Sequence, residues 1–276
     1  MDGKLALVTG GNAGIGYATC RGLLERGAEV IMASRSEERA NEACAELRRD
    51  LGNDISLSFV PLDLGDLDAV ATTAETLQNR NIDILLANAG LWPRAYSTSA
   101  QGHEIAFATN VLGHHLLIRR LEKQLSPGAR VVIVTGEIYF ITSACTPDYT
   151  YKSGFGGMLA YCRSKLGNLW QSAKLAELYP HYTVAAVHPG VVSSNLGKQE
   201  RGVKGSETTQ AGPMIDCRLG AQTSLWCATQ PDVVSGGYYN NVLGLVELQP
   251  NDPARNIDGA NQLWQTCEHL CHQWLQ

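Results

Sequence analysis

Long apolar runs are missing from this 276-residue sequence, and none approaches the ~20 residues that a membrane-crossing helix needs. An excess of basic residues is missing too. Lys and Arg number 22 against 27 Asp and Glu, a net charge of −5 that argues against nucleic acid or an anionic membrane as the principal partner. Paired cysteine spacing is absent: the eight Cys stand at 20, 44, 145, 162, 217, 227, 267 and 271, several inside helix-like stretches. That scatter suits reduced thiols in a cytoplasmic protein better than a disulfide framework. The start, Met1-Asp2-Gly3-Lys4, runs straight into a strand-like stretch without the apolar core of a leader peptide. A complete metal-ligand set is also lacking, so no metal is expected. His114 and His115 are adjacent on a helix and point about 100° apart. The knuckle-like Cys267-Glu268-His269-Leu270-Cys271-His272 has nothing elsewhere to complete it. No internal repeat is visible. What remains, 44% hydrophobic and 18% charged, is an ordinary globular composition with length for a large core.

Strand and helix signals alternate along the chain. Lys4 to Thr9 is a short apolar run, ended by Gly10-Gly11-Asn12-Ala13-Gly14-Ile15-Gly16. Tyr17 to Arg26 reads as a helix and Glu29 to Ala33 as a second strand, completing a βαβ unit. Glycines at a strand-to-helix turn let the backbone approach a ligand, and the helix N-terminus offers free N–H groups to a pyrophosphate. Gly10, Asn12, Gly14, Ile15 and Gly16 are therefore cofactor-binding candidates. After the second strand comes Ser34-Arg35-Ser36-Glu37-Glu38-Arg39, with Arg where an acid would accept bonds from a ribose 2′-OH. Arg35 and Arg39 point to the 2′-phosphate of NADP(H), although both also fit surface positions at a helix start capped by Ser36.

Further along, Ile55 to Leu62 reads as a third strand, followed by Asp63-Leu64. That acid fits either a place near the adenine or a helix cap. Asp66 to Gln78 is helical, and Ile82 to Ala87 is a fourth strand closed by the small-residue turn Asn88-Ala89-Gly90. His103 to Leu125 reads as one long helix carrying Asn110, ended by Pro127-Gly128. Arg130 to Thr135 is a fifth strand. Residues 136–160 lead into a helix with Tyr161 and Lys165, and Thr183 to Val187 is a sixth strand ending in His188-Pro189-Gly190. A polar loop, 194–211, lies within a substrate-loop region of about 194–222. Gln222 to Ala228 is helical, Tyr238-Tyr239 and Val242 to Leu248 complete the sheet, and Asn261 to Leu275 is a terminal helix. The pattern predicts an α/β fold: a single Rossmann-type, doubly wound parallel sheet flanked by helices, with residues 1–276 forming one NAD(P)-binding domain. Ligands in such folds bind at the carboxyl ends of the strands, where every turn named above lies.

Tyr161 and Lys165 are four residues apart and share one helix face. A nearby ammonium favours the phenolate and lowers the Tyr pKa from about 10, which makes a general acid/base for an alcohol oxygen. An amphipathic helix with a core Tyr and a solvated Lys explains the same spacing.

Taken together, Thr9-Gly10-x-x-x-Gly14-Ile15-Gly16, Asn88-Ala89-Gly90, Asn110, Tyr161-x-x-x-Lys165 and Pro189-Gly190-Val191-Val192-Ser193-Ser194 resemble the short-chain dehydrogenase/reductase family, over almost the whole chain. Ala160 to Asn168, the Asn110 to His114 helix, His188-Pro189-Gly190 and Leu263-Trp264 are most similar to its retinol-dehydrogenase and WW-oxidoreductase-like branch. The resemblance implies an NADP(H)-dependent oxidoreductase in which Tyr161 moves the hydroxyl proton. Lys165 would bond the nicotinamide ribose, and Asn110 would hold a water leading from Lys165 to solvent. It places Pro189, Gly190, Val192 and Ser194 near the nicotinamide. Trp92, Tyr139, Phe140, Phe155 and Met158, apolar or aromatic candidates for the pocket, suggest a small lipophilic substrate such as a retinoid, a steroid or another apolar carbonyl compound, and the resemblance makes a homo-oligomer an open expectation. One member of the family pattern is missing: the Ser past the fifth strand. Gly136 or Glu137 takes its place, depending on alignment, with Thr135 and Ser143 as substitutes. Losing one polarising donor costs ~2.7–4 kcal/mol in comparable sites. A non-catalytic NADP(H)-binding sensor or scaffold is therefore the rival expectation.

Overall fold

β1 (Leu5–Thr9) is buried along its whole length and lies between two parallel neighbours, β2 (Glu29–Ser34) and β4 (Ile82–Ala87). The computed structural model describes residues 1–193, 196 and 214–276. Outward from β2 lies β3 (Leu57–Pro61). Outward from β4 lie β5 (Leu125–Val134), β6 (Thr183–His188), β7 (Gly237–Asn240) and the short antiparallel β8 (Gly244–Val246). The sheet order is β3-β2-β1-β4-β5-β6-β7-β8, so the strand order reverses at the crevice between β1 and β4. That crevice, at the strands' carboxyl ends, is where a doubly wound sheet binds its ligand.

Alternation along the strands feeds two cores. Leu5, Leu7, Leu85 and Val131 face one side, Ala6, Val8, Leu86 and Val132 the other. Helices α1 (Gly14–Leu24), α2 (Glu37–Leu51) and α7 (Cys217–Thr229) cover the second core. The first is covered by α3 (Leu67–Thr76), α4 (Ile105–Phe107), α5 (Gly113–Arg120), α6 (Gly156–Leu178) and α8 (Ile257–Cys271). Ser36 caps α2 as its sequence predicts, accepting from the Arg39 N–H.

Four expectations shift. The long helix expected over 103–125 is broken: a π-helical turn at Ala108–Leu112 separates α4 from α5, and Asn110 sits in it. Pro127-Gly128 does not end a helix but lies inside β5, where the register with β4 jumps between Ile82 and Ile84 and Gly128 takes φ +78°. The strand expected over Val242 to Leu248 shrinks to β8, because Gly244 turns the chain at φ +69°. The terminal helix starts earlier than expected, capped by Asn256.

The polar residues near the end of the chain do packing work. Cys267 and Cys271 are core residues, while Glu268 accepts from His115 Nε2 (2.8 Å) and Arg119 Nε (2.7 Å), tying α8 to α5. Burial opposes ionisation of Glu268, yet those hydrogen bonds prevail and pull its pKa down to about 2. Among the described residues there is no group of three metal-ligating side chains, and no helix is long and apolar enough to cross a membrane.

Candidate active site

The glycine turn closes on itself at the crevice. Gly10 (φ +67°) and Gly14 (φ +58°) adopt the left-handed region that favours glycine. A Cβ on Gly16 would stand 2.2 Å from the Gly10 carbonyl oxygen and 2.5 Å from Asn88 Nδ2, so only glycine fits. The N-cap of α1 is Ala13, whose side chain caps nothing, and no acid stands in the first turn. The first N–H groups of α1 therefore lack a side-chain cap.

Behind the turn, Thr9 organises the neighbouring strand end. Its hydroxyl accepts from the N–H groups of Asn88 and Ala89, both at 2.9 Å, and Asn88 Nδ2 donates to the Thr9 carbonyl at 2.8 Å. His114 Nδ1 lies 3.2 Å from the Asn110 carbonyl, which can only accept, so Nδ1 carries the proton of this ring. Nε2 is then the acceptor for the Thr9 hydroxyl at 2.9 Å. Burial holds the His114 pKa down at about 4, which keeps the ring neutral.

Asn110 is fully engaged. Its Oδ1 accepts from the Leu91 N–H (2.9 Å), and its Nδ2 donates to the Leu91 carbonyl (2.9 Å) and Ser164 Oγ (2.8 Å). Its own carbonyl accepts from Asn168 Nδ2 at 2.7 Å as well as from His114. The side chain thus pins α4, α5 and the strand-4 turn to α6.

Tyr161 and Lys165 lie one turn apart on α6 and reach the same cavity, of about 690 Å³. Lys165 Nζ donates to the Val134 carbonyl at 2.9 Å and lies 3.4 Å from Asn168 Oδ1. It stands 5.4 Å from the centre of the Tyr161 ring, and the Trp92 ring stacks on that ring at 5.3 Å and 7°. The expected depression of the tyrosine pKa is not seen in the protein alone. Burial raises Tyr161 and lowers Lys165 to about 8, driving both towards their neutral forms.

Of the two candidate positions for the serine, Gly136 faces the Tyr161–Lys165 pair. A Cβ there would lie 3.6 Å from both the Tyr161 hydroxyl and Lys165 Cγ, in ordinary contact. Thr135 points away, as strand alternation requires, and its hydroxyl donates to the Lys165 carbonyl at 2.7 Å. Ser143 lines a different cleft, with Thr142 and Asp252. Glu137 does reach the cavity, beside His188.

Of the residues singled out from sequence, Gly10, Asn12, Gly14, Ile15, Gly16, Asn88, Ala89, Gly90, Tyr161, Lys165, Pro189, Gly190 and Val192 line this one cavity. Asn110 stands behind it. Arg35, just past β2, and Arg39, in the first turn of α2, lie outside its wall, exposed, and neither side chain is bonded to another described residue. Asp63 bonds the Gly65 N–H at 2.9 Å, and Leu64 packs in the core, so neither touches the cavity. Ser194 lies outside the described residues. Among the apolar candidates only Trp92 and Phe140 line the cavity, joined by Ile138, Val191, Leu196 and Met214. Tyr139 is turned away to Asp252 (2.9 Å), Phe155 stands exposed, and Met158 is off the wall. Sequence reasoning passed over Thr9, Asn168 and His188. The first two sit inside motif stretches, and His188 precedes Pro189-Gly190.

A phenol and an amine stand buried side by side at the switch point of a doubly wound sheet, opposite an uncapped helix N-terminus, an arrangement that suits an oxidoreductase. The short chain dehydrogenase family model matches residues 4–204, and the chain belongs to that family. It is 34% identical to retinol dehydrogenase 14 of Mus musculus over 97% of this chain and 86% of that protein. It is 32% identical to the WW domain-containing oxidoreductase of Gallus gallus over 100% of this chain and 70% of that one. A crystal structure of an uncharacterised protein from Mycobacterium Paratuberculosis superposes with a TM-score of 0.78 at 27% identity, covering 98% of this chain and 94% of that one.

Proposed function

We propose that this protein interconverts an alcohol and a carbonyl on an apolar substrate with NADP(H), using Tyr161 as the general acid/base. The observation that carries the reading is the convergence of the Tyr161 hydroxyl, Lys165 and the glycine turn on one cavity. The residues present fit the cofactor. The N–H groups opening α1, with Gly14 and Gly16 giving close approach, suit a pyrophosphate. Arg35, exposed just past β2 where an acid would stand for NAD, and Arg39, exposed in the first turn of α2, suit a 2′-phosphate. When bound, the nicotinamide supplies or accepts the hydride.

The chain's own groups handle the proton and the surroundings. With a pKa of about 8, Lys165 is mostly protonated at neutral pH and stabilises a phenolate on Tyr161 as it forms. The Trp92 stack fixes the phenol's plane, and Ile138, Phe140, Val191, Leu196 and Met214 give the cavity an apolar wall. That wall, and the similarity to a retinol dehydrogenase, favour a retinoid or a comparable apolar aldehyde or ketone.

NADPH oxidation with all-trans-retinal and a panel of apolar aldehydes and ketones tests the reading. Turnover is expected, and Tyr161→Phe should abolish it while leaving NADPH binding intact. Gly136 at the serine's place favours one alternative, an NADP(H)-binding sensor. Tight NADPH binding with no turnover, unchanged by Tyr161→Phe, would establish that alternative.

A further inference from the structure

With Gly136 at the serine's place, the substrate oxygen lacks its usual second donor, and the cavity wall holds another. His188 is the last residue of β6, is more than nine-tenths buried, and lines the cavity together with Tyr161 and Lys165. Its Nδ1 accepts from the Glu137 N–H at 3.3 Å. A nitrogen that accepts carries no proton, so the neutral ring has its N–H at Nε2. That N–H has no hydrogen-bond partner among the described residues; the Glu137 carboxylate stands 3.7 Å from it. Glu137 thus fixes the ring twice, by its backbone N–H at one nitrogen and by its negative charge near the other. Such a buried imidazole N–H beside an open cavity needs an acceptor, and among the described residues the protein offers none at bonding distance.

We infer that His188 Nε2–H donates a hydrogen bond to the substrate's carbonyl oxygen, taking over the polarising role for which Gly136 has no hydroxyl, with Glu137 as the positioning residue that holds the ring and its tautomer. The inference rests on the acid–base reading of Tyr161. His188 transfers nothing: the proton that the oxygen gains comes from Tyr161, and His188 shares charge with the oxygen as that proton arrives. The neighbouring chain geometry suits this division. Thr135 N–H bonds the Val187 carbonyl at 2.8 Å, so the β5 end carrying Gly136 and Glu137 runs beside the β6 end carrying His188. The donor is moved one strand sideways.

Asparagine is the informative substitution, because its Oδ1 stands where Nδ1 does and keeps an acceptor for the Glu137 N–H, while nothing replaces Nε2–H. With the full chain, NADPH and all-trans-retinal, His188→Asn should lower kcat by ~10²-fold, as loss of one polarising donor does. KM for NADPH and the melting temperature should be unchanged. Adding Gly136→Ser to His188→Asn restores a hydroxyl near the Tyr161 phenol, and at least about a tenfold recovery of kcat is expected from a regained donor. A packing role for His188 predicts no such rescue. Wild-type kcat in His188→Asn, or a double variant no faster than the single one, overturns the inference. Tyr161→Phe run in parallel separates the two levels. An inactive Tyr161→Phe beside a fully active His188→Asn refutes only the role of His188. An active Tyr161→Phe, or a wild-type protein that turns over none of the panel, refutes the acid–base reading and this inference with it.

Discussion

Gly136→Ser is a gain-of-function test written into the backbone. Gly136 has φ −156° and ψ 137°, an extended conformation open to any residue, so glycine is not required there by strain. The nearest atoms to an added Cβ are Lys165 Cγ and the Tyr161 hydroxyl, both at 3.6 Å, and Ile138 Cγ2 at 3.9 Å. These are ordinary contacts, so the variant should fold. Removing the backbone freedom of glycine in the unfolded chain should even stabilise it by about 0.4–1 kcal/mol, as Gly→Ala does at compatible sites. A serine hydroxyl swings from that Cβ towards the phenol, where it can bond the same substrate oxygen. One full polarising donor is worth ~2.7–4 kcal/mol, a ceiling of 10²–10³ in kcat. With Tyr161 and His188 already donating, the third donor shares the oxygen's lone pairs, and we expect a gain of about three- to tenfold, near 1 kcal/mol of barrier. Steady-state kcat for NADPH-dependent retinal reduction reads the effect. Gly136→Ala serves as the control that adds the Cβ alone and should leave kcat within about twofold, since it adds no donor. A well-folded Gly136→Ser with kcat no higher than Gly136→Ala would refute the placement of the substrate oxygen between Gly136 and Tyr161.

Three further outcomes follow from the same geometry. Arg35→Ala should raise the Kd for NADPH by about 10–100-fold, in line with a lost hydrogen bond to a charged group, and leave that for NADH within about twofold; titration by fluorescence decides, and equal losses would contradict the 2′-phosphate assignment. Lys165 has its pKa lowered by burial from 10.5 to about 8, so the unfolded chain holds a proton that the fold releases between those values. Its charge therefore costs stability below about pH 8 and the cost is relieved as pH rises towards 10.5; Lys165→Met should raise the melting temperature at pH 7, lose that pH dependence and abolish turnover. Glu268 is the opposite case: its pKa falls from 4.5 to about 2, so its contribution is complete above 4.5 and lost as pH drops through 2. Glu268→Gln should cost about 2 kcal/mol at pH 7, reduced from a buried pair's value because the side chain is partly exposed, and the difference from wild type should vanish in melts towards pH 2.

Much of this site is legible in sequence because it is written as local turns. Gly10, Gly14 and Gly16 are demanded by backbone that cannot carry a Cβ or must run at positive φ, and the strand–glycine–helix order shows it. Tyr161 and Lys165 are legible through helix periodicity. Partnerships across the fold are not. Nothing local distinguishes His188 from a core histidine until the Glu137 N–H is seen on its Nδ1. The π-helical turn at Ala108–Leu112 is invisible for the same reason, since its apolar periodicity reads as one straight helix. The sign of the Tyr161 shift is not legible in the sequence, because spacing shows the neighbouring cation but not the burial, which here dominates both groups.

The π-helical turn is also what joins the two halves of the site. It carries Asn110, whose carbonyl accepts from Asn168 on one side and His114 on the other. His114 leads to Thr9, and Thr9 to Asn88 and Ala89 at the glycine turn; Asn168 leads to Lys165. A polar chain therefore runs through the buried interior from the nucleotide side to the acid–base pair, with the groups along it matched donor to acceptor. Buried polar groups are costly unless satisfied, and satisfied networks fix geometry. The consequence is specific to Asn110. With its side chain given to Leu91 and Ser164 and its carbonyl to Asn168 and His114, it is occupied as a structural hub, and the water relay expected of it would have to share a carbonyl that already accepts twice. Asn168 Oδ1, 3.4 Å from Lys165 Nζ, links the same network to the ammonium directly.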